Sequence, residues 1–90
     1  MANKHTHTFT QLEYQMIHDK VAALEDMRLL GGEGESIDVS GAPLVLVMPL
    51  DDGPPRYVIR KEEGGFCLLN GDASTVVATG QLDEILAALP

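Results

Sequence analysis

The sequence predicts an α+β domain with an N-terminal helix, an antiparallel β-meander of three to five strands and a short C-terminal helix. Apolar residues recur at helical spacing over residues 10–30 and again over 82–89. Between them lie short apolar runs, separated by turns too short for the crossover connections that parallel strands need. The 90 residues suffice for one domain. We expect it to span residues 10–90, after a frayed or disordered terminus over residues 1–9.

The first helix is predicted from its start and stop signals. Thr10 and Glu13 have the spacing of a capping box, in which each side chain accepts a hydrogen bond from the other residue's backbone N–H. Phe9, just before the cap, can pack against Tyr14. Gly31-Gly32 is expected to end the helix, because glycine adopts the left-handed conformation without steric cost. The expected core stripe of this helix is Tyr14, Ile17, Val21 and Leu24, and Met27 can extend it.

The strands are predicted from short apolar or β-branched runs. Residues 33–35 are expected to form a loop, and the predicted strands are residues 37–39, 44–48, 57–60, 66–69 and 75–78. Proline brackets the run at 44–48, which is too short for a buried helix. In the final helix, Asp83 and Glu84 fall in the first turn, where negative charge complements the helix dipole.

Two of the predicted strands are apolar on both faces. Alternate side chains of a strand point to opposite faces, so Leu44, Leu46 and Met48 oppose Val45 and Val47. A sheet with one wet face should instead alternate apolar and polar residues. The two helices could cover one face each. Otherwise a face meets a second copy of the chain or a larger protein partner, and the predicted interface includes Val45, Val47, Cys67 and Leu69.

The net charge of −8 limits the classes of partner. Direct nucleic-acid binding and binding to an anionic membrane surface both need a basic surface, so neither is expected. No apolar run approaches the roughly 20 residues of a membrane-spanning helix. The single cysteine, Cys67, excludes an intramolecular disulfide. The N-terminal residues lack the apolar core of a signal peptide, and we therefore expect a cytoplasmic protein.

No group of residues predicts catalysis, a cofactor or a metal centre. His5, His7 and His18 could bind a transition metal, but no further ligand stands at a characteristic spacing. The turn at residues 70–74 resembles part of a calcium loop without its remaining ligands. Cys67 lies in an apolar run, where a buried, inert thiol is expected. The paired carboxylates fall in turns or at a helix start, and they are Asp51-Asp52, Glu62-Glu63 and Asp83-Glu84.

These observations favour a small acidic protein-interaction module, an accessory, regulatory or inhibitor protein without catalytic activity of its own. One alternative is an acidic nucleic-acid mimic that inhibits a nucleic-acid-binding enzyme of the anti-defence type. A mimic of this kind should bind its partner less tightly as salt rises. It should also carry carboxylates on one face, and the predicted ones are Glu25, Asp26, Glu33 and Glu35. Another alternative is a small enzyme or ligand carrier, which would need a closed pocket.

Overall fold

The computed structural model describes residues 8–90, which form a helix, five strands and a second helix in chain order. The helices are α1 (Gln11–Asp26) and α2 (Leu82–Leu86), and the strands are β1 (Gly32–Ile37), β2 (Pro43–Met48), β3 (Tyr57–Glu62), β4 (Gly65–Asn70) and β5 (Val76–Gly80). All neighbouring strands pair antiparallel in the order β1-β2-β3-β4-β5. This arrangement is a meander, and it confirms the predicted α+β fold class.

The start of α1 has the predicted capping box. The Glu13 N–H donates to Thr10 Oγ1 at 3.1 Å, and the Thr10 N–H donates to Glu13 Oε1 at 2.7 Å. The ring centroids of Phe9 and Tyr14 lie 5.3 Å apart, as expected for residues that pack across the helix start. Phe9 is also buried and contacts Phe66, with ring centroids 6.0 Å apart. The folded region therefore includes Phe9, and the predicted frayed terminus over residues 1–9 is wrong at this residue.

The end of α1 differs from the prediction, because the helix stops before the Gly31-Gly32 pair. Arg28 takes the left-handed conformation with φ 61°. Its N–H donates to the Glu25 carbonyl and the Leu29 N–H donates to the Leu24 carbonyl, both at 2.9 Å. These two bonds form a Schellman motif, which satisfies carbonyls of the last helical turn. An arginine thus occupies the position that glycine usually fills.

Gly31 serves the sheet rather than the helix end. Its N–H donates to the Met48 carbonyl at 2.8 Å, and a Cβ on Gly31 would lie 1.9 Å from the Pro49 carbonyl oxygen. The chain then continues as β1, so the loop predicted over residues 33–35 is wrong. The residues of β1 have weak strand propensity, but the strand pairs with β2 along its whole length. Tertiary pairing overrides local preference here.

The strand predicted over residues 37–39 is wrong beyond its first residue. Asp38 Oδ1 accepts hydrogen bonds from the backbone N–H of Ser40 at 2.8 Å and of Ala42 at 3.0 Å. This bonding bends the chain into the turn between β1 and β2. The Val39 side chain at the tip is fully exposed.

The remaining elements lie close to their predicted positions. The bounds of β2, β3, β4 and β5 differ from the predicted runs by at most two residues. The second helix begins at Leu82 as predicted and ends at Leu86, short of the predicted 89. Leu89 is nevertheless buried, so the residues after α2 still contribute to the core.

Both helices pack on the same face of the sheet. In the predicted stripe of α1, Ile17, Val21 and Leu24 are buried in the main core and Tyr14 packs against it half-buried. Met27 is 60% exposed and does not extend the stripe. The two helices do not cover one face each, which was one of the two arrangements that the sequence allowed. The buried strand residues of this core are Val45, Val47, Ile59, Phe66 and Leu68, and those from the second helix and its C-terminal extension are Leu82, Ile85, Leu86 and Leu89.

Candidate functional site

The face of the sheet opposite the helices forms a separate apolar surface. Residues directly opposite each other in an antiparallel sheet share a face. The pairs Leu46–Val58, Val58–Leu69 and Leu69–Val76 therefore cross this face from β2 to β5. We call it the helix-free face; its principal residues are Leu44, Leu46, Met48, Val58, Arg60, Glu62, Cys67, Leu69 and Val76.

The centre of the helix-free face is buried without a helix above it. Val58, Cys67 and Leu69 are 3%, 1% and 4% exposed and form a cluster to which neither α1 nor α2 contributes a residue. Leu44 and Leu46 are half-buried and pack against this cluster. Leu44 and Leu46 thus cover part of the centre, and the accessible apolar atoms of this face belong to residues around it.

An ion pair lies on the helix-free face. Arg60 donates to Glu62 Oε2 from Nε at 3.1 Å and from Nη2 at 2.8 Å. The hydrogen bond with Glu62 raises the pKa of Arg60 above its usual range. Burial raises the pKa of the Cys67 thiol, which favours the neutral form over the nucleophilic thiolate. This face therefore offers an apolar surface with a neutralised ion pair, not a reactive cysteine.

The predicted interface residues divide between the two faces of the sheet. Val45 and Val47 are 1% and 0% exposed in the core beneath the helices, so they cannot contact a partner in this fold. Cys67 and Leu69 lie on the helix-free face, but they are 1% and 4% exposed, so they too offer a partner almost no accessible surface. The sequence could not distinguish the faces, because both sides of β2 and β4 are apolar. Leu46, which sequence reasoning left out of the interface, lies in the middle row of the helix-free face.

A groove of about 200 Å³ runs between α1 and the edge strand β1. Its buried residues are Ile17 and Val45, and its walls are Gln11, Tyr14, Gln15, His18, Glu33 and Glu35. His18 Nδ1 lies 2.8 Å from Glu33 Oε2, and this hydrogen bond raises the pKa of His18. The groove is smaller than the roughly 300–1,000 Å³ of small-molecule sites. It does not have the volume of a walled substrate pocket.

The carboxylates predicted for a nucleic-acid mimic gather partly around this groove. Glu33 and Glu35 line it, and the charge of Glu25 contributes to the raised pKa of His18. Asp26 is exposed at the end of α1 and does not line the groove. The side of the molecule formed by α1 and β1 is thus acidic, with one histidine among its carboxylates.

The remaining candidate sites from the sequence are the metal-binding histidines and the turn at residues 70–74. His5 and His7 lie outside the described residues. Within residues 8–90, no three histidine, cysteine, aspartate or glutamate side chains are placed to hold a metal ion. In the turn after β4, Asn70 Oδ1 and Asp72 Oδ1 both accept from the Ser74 N–H, so these side chains stabilise the turn. No helix in this part of the chain is long and apolar enough to cross a membrane.

Comparison with protein-family models, with curated proteins and with solved structures finds no match to this chain.

Proposed function

We propose that this protein is a small acidic protein-interaction module without catalytic activity of its own, which docks on another protein through its helix-free face. The observation that carries the proposal is the set of apolar side chains that stay partly accessible around the buried centre of the helix-free face: Leu44, Leu46, Met48 and Val76. An antiparallel sheet that faces water on one side normally has polar residues there. Apolar residues on such a face are typical of an interaction surface.

The rim of the helix-free face can supply the docking contacts. Leu44, Leu46 and Met48 are half-buried and Val76 is 54% exposed, so each retains surface that a partner can remove from water. Burying apolar surface contributes about 25 cal/mol per Å². The ion pair of Arg60 and Glu62 satisfies both charges within the chain. A partner can therefore cover this region without leaving an unpaired charge.

The proposal is tested by replacing Leu46 with glutamate. Leu46→Glu places a charge in the middle row of the face and should abolish capture of the partner from a lysate of the source cells. Leu12→Glu is the matched control, because Leu12 is 70% exposed on α1, away from this face. Captured proteins are compared by quantitative mass spectrometry for the wild type and both variants. Circular dichroism confirms that each variant folds.

The expected result is a protein that the wild type and Leu12→Glu capture and Leu46→Glu does not. Its retention should survive about 500 mM salt, because salt screens charges and not apolar contacts. Equal capture by a folded Leu46→Glu variant would exclude the helix-free face as the docking surface.

The acidic side formed by α1 and β1 supports a second candidate function, inhibition of a nucleic-acid-binding enzyme by charge mimicry. Glu33 and Glu35 flank the groove between α1 and β1. The charges of Glu33 and Glu25 both raise the pKa of His18 beside it. Binding of this kind weakens steeply as salt rises. Replacing these three residues with glutamine should then release the partner, whereas Leu46→Glu should have no effect.

A further inference from the structure

We propose that the edge strand β1 binds an extended basic segment of another protein, which adds to the sheet as a further antiparallel strand. The strand order β1-β2-β3-β4-β5 places β1 at the edge of the sheet. An edge strand pairs on one side only, and the backbone groups on its other side can bind an added strand. This edge is separate from the helix-free face, so the inference goes beyond the function proposed above.

The register between β1 and β2 shows which backbone groups of β1 point outward. In an antiparallel pair, opposed residues that exchange hydrogen bonds alternate with opposed residues that do not. The Asp38 N–H donates to the Ala42 carbonyl at 2.9 Å, so the pair before it is one that does not exchange bonds. In that pair Ile37 opposes Pro43, which has no N–H to donate. The β1 residues whose N–H and C=O groups point away from β2 are therefore Glu33, Glu35 and Ile37.

The side chains of β1 define the chemistry of the added strand. Glu33 and Glu35 oppose two core valines of β2, so both carboxylates lie on the helix side of the sheet. Residues of an added strand opposite them lie on the same side, within reach of cross-strand ion pairs. Glu33 Oε2 lies 2.8 Å from His18 Nδ1, whereas Glu35 forms no ion pair within residues 8–90. Arginine or lysine side chains at alternate positions of the added strand complement these two carboxylates.

The rest of β1 leaves room for a basic strand and disfavours a second copy of the chain at this edge. On the other side of the sheet, the residues of β1 are Gly32, Gly34 and Ser36. A Cβ built on Gly34 would meet nothing within 4 Å, so the space above it is open to a side chain of the added strand. Two copies paired through β1 would bring the carboxylates of Glu33 and Glu35 together, which is destabilising. The net charge of −8 repels a second copy and attracts a basic segment.

A blocked hexapeptide of alternating valine and arginine tests the inference on the full chain. Its arginines lie on one face of an extended strand. We expect NMR titration of the isotope-labelled protein to give a dissociation constant of about 10 to about 500 μM. Binding should also slow hydrogen exchange at the outward amides of Glu33, Glu35 and Ile37. The matched hexapeptide of alternating valine and glutamate should not bind.

Methylated peptides separate backbone pairing from attraction between opposite charges. In an antiparallel pair with β1, the arginines opposite Glu33 and Glu35 donate their N–H groups to β1, and the valine N–H groups point away. Methylation of the arginine backbone nitrogens should therefore abolish binding, whereas methylation of the valine nitrogens should leave it unchanged. Equal effects of the two methylations, or a larger effect at the valines, would overturn the inference.

Two double variants of the protein locate the site. Glu33→Gln with Glu35→Gln should weaken binding of the valine–arginine peptide about 10-fold. Asp52→Asn with Glu63→Gln removes the same charge from exposed loops and should weaken it by no more than about 2-fold. Circular dichroism confirms that both variants fold. Equal weakening by the two variants, or no binding of the peptide at about 1 mM, refutes a site on β1 and leaves the docking of the helix-free face untouched.

Discussion

Replacing Leu24 with alanine tests the assignment of the main core. Leu24 is 2% exposed and lies in the cluster between α1 and the sheet. The substitution removes three buried carbon atoms, a loss of about 2.4 kcal/mol at about 0.8 kcal/mol for each. The cavity left behind adds about 1 kcal/mol when the surroundings relax only in part. The expected loss is thus about 3–4 kcal/mol, from a total that is typically about 5–15 kcal/mol for a domain.

Thermal and urea unfolding followed by circular dichroism measure this loss. At about 4–8 °C per kcal/mol for a domain of this size, the Tm should fall by roughly 12–30 °C. Leu12→Ala is the matched control on the same helix, because Leu12 is 70% exposed. Its free energy of unfolding should change by no more than about 0.5 kcal/mol. If the two variants lose the same stability, α1 does not pack through Leu24 and the core assignment is wrong.

Three further predictions concern single polar or charged residues. Lys61 Nζ donates to Glu13 at 2.9 Å; burial opposes ionisation of Glu13, but this bond and those with the cap leave its pKa below 4.5. The resulting stability is present above pH about 4.5 and is lost as pH falls through the folded pKa. Glu13→Gln keeps a capping side chain but does not titrate. The free energy of unfolding in urea should therefore fall less steeply at acid pH in this variant than in the wild type. The hydrogen bond from Glu33 raises the pKa of His18 above 6.5. Its stabilising effect is complete below pH about 6.5 and is lost as pH rises through the folded pKa; Glu33→Gln should lower the midpoint of the His18 titration measured by NMR. Arg28 has φ 61°, so Arg28→Gly should raise the free energy of unfolding in urea by about 0.5–1 kcal/mol, and a decrease would contradict strain at this position.

The fold class could be predicted because local signals agree with the tertiary structure. The Thr10–Glu13 capping box fixes the start of α1, and proline and glycine separate the later strands. The prediction failed between residues 27 and 39. There, Arg28 takes a conformation that favours glycine, and β1 consists largely of glycine, glutamate and serine, which rarely form strands. Pairing with β2 determines this region, and a single sequence does not show that pairing.

The candidate surface could be predicted only as a pair of alternatives. The apolar residues in β2 and β4 indicated that both faces of the sheet are apolar, but they did not indicate which face the helices would cover. That depends on where α1 and α2 pack once the strands have paired. As a result the predicted set of Val45, Val47, Cys67 and Leu69 mixed two core residues with two from the helix-free face.

The stability that the helix-free face can draw from its own chain is limited. Cross-strand pairs such as Val58 with Leu69 contribute roughly 0.2–1 kcal/mol each. Full burial of one such side chain under a covering layer contributes roughly 1.5–3 kcal/mol. Leu44, Leu46 and Val76 keep accessible surface, so part of this free energy remains to be gained when another protein covers them. Leu44 and Leu46 already gain stability by packing against the second cluster, so the free energy that a covering layer could still add lies largely with Val76.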